Sequence, residues 1–144
     1  MTAKIVKMRL NGIENPIGYD TSSLSFSWIV EGTESKFQKT ARLIISTNPA
    51  CDIDNKEQLI HDSGESSKIN SIDYDPQIDT KQNLKPRTVT TDLEVTTDLE
   101  EKIESPINFF ETSKLYEPWI AKWISTQNVG KSVPPYIRKT FTIS

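Results

Sequence analysis

Residues 89–100 read VTTDLEVTTDLE. One set of alternate positions is Val89, Thr91, Leu93, Val95, Thr97 and Leu99; the other is Thr90, Asp92, Glu94, Thr96, Asp98 and Glu100. Successive side chains of an extended chain leave opposite faces, so a period of two with one apolar and one acidic face predicts a half-buried strand. A helical pitch would scatter those carboxylates around its circumference. The stretch also repeats Thr-Thr-Asp-Leu-Glu after six residues, an even offset that preserves the face. Two copies are local redundancy, not a solenoid.

The same signal recurs along the chain. In 4–10, Ile5 stands opposite Val6, and Met8 and Leu10 share a side; the turn dipeptide Asn11-Gly12 follows. Leu24, Phe26 and Trp28 alternate with Ser25 and Ser27. In 40–47, Ala41, Leu43 and Ile45 alternate, with Ile44 on the other face. Shorter strands are expected at 58–62, 67–74 and 107–112, and one short helical turn within 48–58. Breakers separate them: Asn48-Pro49, Ser63-Gly64, Asp75-Pro76, Lys85-Pro86 and Ser105-Pro106. Short strands with turn signals roughly every 8–12 residues predict an all-β sandwich.

Composition narrows the function. The chain has 144 residues, 17 Lys+Arg against 20 Asp+Glu, and a net charge of −3. That length suits one domain with a short appendage. The balanced charge leaves no electrostatic footprint for nucleic acid or an anionic membrane. The single cysteine, Cys51, excludes an intrachain disulfide and any multi-cysteine metal site, and the single histidine, His61, excludes a site needing two imidazoles. No stretch has the length of an apolar membrane span. Lys4, Lys7 and Arg9 interrupt the start, which therefore lacks a secretory h-region. With one unpaired thiol, a cytoplasmic location is expected.

The C-terminal part has a different character. Residues 118–124, PWIAKWI, are aromatic and apolar; 125–135 are polar and end in Pro134-Pro135. Residues 136–143 alternate again, as Tyr136, Arg138, Thr140 and Thr142 against Ile137, Lys139, Phe141 and Ile143. One strand beyond a linker cannot bury its own face. The expected division is 1–116 as the sandwich and 117–144 as a junction with the first strand of a truncated β-domain. That strand is expected to pair with an edge of another molecule, giving a strand-exchanged homodimer through 136–143. Residues 119–124 are expected to dock on the sandwich.

These landmarks resemble a family. Asn11-Gly12, then Glu14-Asn15-Pro16-Ile17-Gly18 and the Phe26-Ser27-Trp28 strand, resemble the start of bacterial α-L-rhamnosidases. Gln38-x-x-Ala41 leading into 43–46, Asp62-Ser63-Gly64, and Leu84-x-Pro86-x-Thr88 continue the likeness. Phe110-Glu111-Thr112 closes the module; Trp119-x-Ala121-Lys122-Trp123-Ile124 and Pro135-Tyr136-Ile137-Arg138-Lys139-x-Phe141 resemble the junction and the next domain's first strand. The resemblance implies an all-β, immunoglobulin/fibronectin-III-like antiparallel β-sandwich with a C-terminal extension, at the N-terminus of a multidomain glycoside hydrolase acting on terminal α-L-rhamnosides. It also implies catalytic carboxylates in a helical barrel further downstream. One departure stands out. The family's strand places Tyr and Trp where this chain has Thr90 and Asp92, so either a bulge intervenes or the strand is rewired.

Each candidate site has a plain alternative. His61, Asp62 and Ser63 are consecutive, and neighbours in a strand point apart, so they are not expected to form a relay. Cys51 lacks the basic surroundings that depress a thiol pKa and is read as inert. Asp92, Glu94, Asp98 and Glu100 supply carboxylates but no cleft, whereas a retaining glycosidase needs a pair about 5–5.5 Å apart across a sugar. Asp52, Asp54, Asn55 and Glu57 lack the glycine of a calcium loop. Trp28 is expected in the core, and Trp119 and Trp123 at the domain junction, although the three could form a sugar platform. No catalytic, cofactor-binding or metal-ligating residue is assigned. The expected function is a non-catalytic accessory module of an α-L-rhamnosidase-like enzyme, partnered by downstream domains; the alternative is a carbohydrate-binding module.

Overall fold

The computed structural model describes residues 2–84, 88–114, 118, 120–122, 138–140 and 142. Strand β1 (Lys4–Leu10) pairs antiparallel with β3 (Phe26–Glu31) in a two-stranded sheet. The larger sheet has the order β2 (Ile17–Tyr19), β8 (Asn108–Thr112), β6 (Thr88–Thr97), β4 (Gln38–Ser46) and β5 (Leu59–Asp62). The short β7 (Lys102–Glu104) lies against the far half of β6. All pairings are antiparallel except β2 with β8. Two sheets facing across one core make the expected all-β sandwich. Among the described residues no helix is long and apolar enough to cross a membrane.

The period-two reading of β6 holds in three dimensions. Val89, Thr91, Leu93, Val95 and Thr97 are all buried, while Asp92, Glu94 and Thr96 are only half-buried. The pairing with β4 runs from Thr40 opposite Thr96 to Ser46 opposite Thr90 with no shift. So no bulge interrupts β6 there. The strand's apolar face is the one its own sequence dictates. The break falls on the neighbouring side, at Ser105-Pro106 between β7 and β8. There Ser105 fills the gap twice: its N–H donates to Leu93 O (2.8 Å) and its Oγ accepts from Leu93 N (3.1 Å).

The second copy of the repeat behaves differently. Its strand stops at Thr97, so Leu99 sits in a turn, 56% exposed, whereas Leu93 is fully buried. Glu100 takes a left-handed φ of 60°, and its N–H donates to Thr97 O at 3.0 Å. The Asp98 carboxylate accepts from Ser35 Oγ and from Lys36 N, tying the turn to the β3–β4 connection.

A bulge resolves the broken alternation in β1. Ile5, Met8 and Leu10 are all buried although Ile5 and Met8 are three residues apart. Lys7 adopts φ 51°, and the register with β3 shifts between Val6 and Arg9. One extra residue reverses the parity of everything after it. The Asn11-Gly12 turn has positive φ at both residues (51° and 81°), the conformation of a two-residue hairpin loop, and Leu10 and Ile13 exchange backbone hydrogen bonds across it.

The core lies between the sheets. Ile5, Met8, Leu10, Phe26 and Trp28 meet Ala41, Leu43, Ile45, Val89, Leu93, Val95 and Phe110. Phe26 and Phe110 pack edge to face with ring centroids 6.4 Å apart.

Several expectations need correction. Residues 67–74 form no ladder, only an isolated bridge from Tyr74 to Phe26 and a hydrogen bond from Trp28 N to Ser71 O. Asn70 is the cause: its Oδ1 accepts from Ile72 N and Asp73 N and turns the chain. Residues 48–58 form turns instead of a helix, held by Asn48 Oδ1 on Ala50 N and Asp52 Oδ1 on Asp54 N. The helical turn is α1 (Thr80–Asn83). The expected docking of 119–124 fails where it can be seen, since Ile120 is 89% exposed and Ala121 and Lys122 are exposed too. Trp119, Trp123 and Ile124 lie outside the described residues, as does most of the expected strand at 136–143. Its described members Arg138, Lys139, Thr140 and Thr142 are exposed and belong to no strand.

Candidate functional site

Alternation places the inward residues of β4 and β6 in the core and their neighbours on the outer face of the large sheet. There Arg42 faces Glu94 and Ile44 faces Asp92 across β4 and β6; Glu104 on β7 faces Glu94, and Asp62 on β5 faces Ile44. Arg42 is the centre of this face. Its Nε and Nη2 donate to the two Asp62 oxygens at 2.9 and 2.7 Å, and its Nη1 lies 3.8 Å from Glu94 Oε2. Gly64 N also donates to Asp62, at 3.0 Å. The hydrogen bond from Arg42, helped by Gly64 and opposed by partial burial, holds the Asp62 carboxyl at about 2 and raises the guanidinium further. Asp92 moves the other way, raised first by burial and then by Glu94.

The three consecutive residues His61, Asp62 and Ser63 diverge. His61 faces Ile45, and its Nε2 is enclosed with no hydrogen-bond partner among the described residues. Asp62 is engaged by Arg42, and Ser63 Oγ accepts from Leu43 N while donating to Gly64 O. Burial lowers the His61 pKa. Cys51 is 4% exposed, with Sγ 3.8 Å from the carbonyl oxygens of Ile44 and Thr90, and burial pushes its thiol up. It plugs the outer face where Ile44 and Thr90 would otherwise meet water.

The remaining carboxylates are dispersed. Asp92 and Glu94 stay on the outer face, while Asp98 and Glu100 belong to the β6–β7 turn, Glu100 pairing with Lys39. Asp52 and Asp54 lie in one turn, Asp52 serving as its cap, and Asn55 donates to Gln58 at 2.8 Å. Among the described residues no group of three or more His, Cys, Asp or Glu is placed to hold a metal ion.

Two of the depressions among the described residues bear on sugar binding. One, of about 130 Å³, is lined on the outer face by Thr40, Arg42, Glu65, Glu94, Thr96, Lys102 and Glu104, with no aromatic ring on which a sugar could stack. The other, of about 370 Å³, has Trp28, Phe37 and Ile29 among its lining residues. Trp28 is 4% exposed and its Nε1 donates to Gln38 Oε1 (3.1 Å), so the indole is a core group. Gln38 Nε2 donates to Ile69 O, and Ser35 and Thr33 are bound to Asp98 and Glu101. The cleft's polar groups thus serve the fold.

Acid should unfold the domain in steps set by these shifts. The folded His61 pKa lies below its ordinary value, so the unfolded chain takes the proton first and stability falls as pH drops below about 6.5. The Asp62 contribution is whole above about 4 and disappears towards 2, whereas protonating the raised Asp92 relieves the folded state. Between pH 7 and 2 the thermal midpoint is expected to fall, and in Arg42→Gln the decline below pH 4 should shrink. An unchanged decline in that variant would show that the Arg42–Asp62 pair contributes nothing.

Sequence reading missed Arg42. Its position opposite the core alternation of β4 was visible; its partners were not, because they depend on the β4–β6 register.

No curated protein sequence matches the chain. Among solved structures, an α-L-rhamnosidase of Streptomyces avermitilis complexed with L-rhamnose is similar with a TM-score of 0.66 and 18% identity, over 86% of this chain and 12% of that one. An α-L-rhamnosidase from Dictyoglumus thermophilum is similar with a TM-score of 0.70 and 22% identity, over 86% of this chain and 14% of that one. These are likenesses of fold, and the chain spans only about an eighth of their length. The family described as Rha78A-like, N-terminal immunoglobulin domain matches residues 5–116, most of the sandwich described above. The chain belongs to the Rha78A-like N-terminal immunoglobulin domain family.

Proposed function

We propose that this domain is a non-catalytic accessory module of an α-L-rhamnosidase-like glycoside hydrolase, packing against the downstream domains. The observation carrying this reading is the family match over 5–116, on a sandwich that corresponds to a small share of two solved rhamnosidases. The chemistry agrees with it. The best-organised polar group, Arg42 with Asp62, is an ion pair on a sheet face, and the carboxylates near it flank no aromatic-walled cleft. The parent would hydrolyse terminal α-L-rhamnosides elsewhere in its chain, and the sandwich would end near residue 116. Removing residues 1–116 from that parent is expected to lower its thermal midpoint and soluble yield while leaving KM for an aryl rhamnoside within about twofold. A rise in KM of tenfold or more, with rhamnose binding by the isolated domain, would favour the carbohydrate-binding alternative.

A further inference from the structure

Four of the nine large apolar side chains exposed among the described residues lie on one border of this sandwich, at β2 and the start of β8. Ile17 and Tyr19 on β2 are 60% and 54% exposed, and Ile107 and Phe109 at the start of β8 are 48% and 40% exposed. The two strands are hydrogen-bonded neighbours, with Ile17 beside Glu111 and Tyr19 beside Thr112. The opposite border is different: on β5, Leu59 and Ile60 are half-buried and Asp62 is bound to Arg42. Exposed edges of soluble domains are commonly blunted by charge, and β2, Ile17-Gly18-Tyr19, carries none. An apolar, uncharged edge calls for a cover.

The path of the chain indicates which cover. β8 ends at Thr112, and Ser113 N donates to Tyr19 O at 3.4 Å, so the polypeptide leaves the sandwich against this border. A tether from Ser113 to position 119 reaches about 20 Å at most, and a short tether holds the next segment of the chain at about millimolar effective concentration. The exit segment itself carries an apolar side chain without cover, Ile120. A single interface at the exit would bury both.

We propose that Ile17, Tyr19, Ile107 and Phe109 form the interdomain face of this module, and that its occupant is the next β-domain of the same polypeptide. This rests on the accessory-module reading and specifies where that module docks. Hydrogen exchange on the 144-residue chain and on the multidomain parent tests it. Amides of 17–19 and 108–112 are expected to exchange at least about tenfold more slowly in the parent, with β5 unchanged. Ile17→Asp should return them to the rate of the isolated chain without altering that chain's thermal midpoint. Protection elsewhere on the sandwich, with β2 and β8 unchanged, would overturn the location and leave the accessory role standing. No added protection anywhere would overturn both. A dimer of the isolated chain that Ile17→Asp abolishes would make a second copy the occupant and contradict the proposal.

Discussion

Truncating Trp28 to alanine is expected to destabilise the domain by about 3–5 kcal/mol, the usual cost of deleting a buried aromatic side chain. The indole is 4% exposed between the sheets. Its loss removes apolar contact and also strands Gln38, whose Oε1 accepts the indole N–H while its Nε2 holds Ile69 O. Trp28→Phe should cost less, because most of the buried volume remains while the hydrogen bond and part of the ring contact disappear. Urea unfolding followed by circular dichroism measures both. A loss below about 1 kcal/mol for Trp28→Ala would mean that the indole contributes little to the core and would reopen the sugar-platform reading.

The repeated hexapeptide offers a sharper internal contrast. Leu93→Ala is expected to cost about 2–5 kcal/mol, and Leu99→Ala less than about 0.5 kcal/mol. The two leucines share the Thr-Thr-Asp that precedes them and the Glu after them, so local propensity cannot separate them. Their surroundings do: Leu93 is fully buried beside Leu43, whereas Leu99 is 56% exposed in the β6–β7 turn. Equal costs in the same urea experiment would show that β6 continues through Leu99.

That contrast also shows how much the sequence discloses. Strong alternation is readable because it depends only on neighbouring residues, so β6, β3 and β4 and most of their buried faces emerge directly. Where a strand ends is harder. Asp98 stops β6 through contacts with Ser35 and Lys36, residues distant in sequence. The bulge at Lys7 was not legible, because plain alternation puts Val6, not Ile5, on the side of Met8 and Leu10. The short strands β2 and β7 carry too few residues for any period, and β2 exists only because β8 offers a parallel partner. At the candidate site the limit is the same. Arg42 declares its face, but Asp62 and Glu94 become partners through cross-strand register, which no single segment encodes. The apolar border at Ile17 and Phe109 was illegible for the opposite reason. A lone exposed apolar residue looks like a core residue until the fold leaves it outside.

By the proposed function, this domain assists a hydrolase without performing hydrolysis. Incubating the purified 144-residue chain with a chromogenic aryl α-L-rhamnoside tests it most directly. Release of the chromophore is expected at the buffer rate across pH 4–8. Reproducible turnover that vanishes on a single substitution, Glu94→Gln or Glu104→Gln, would contradict it.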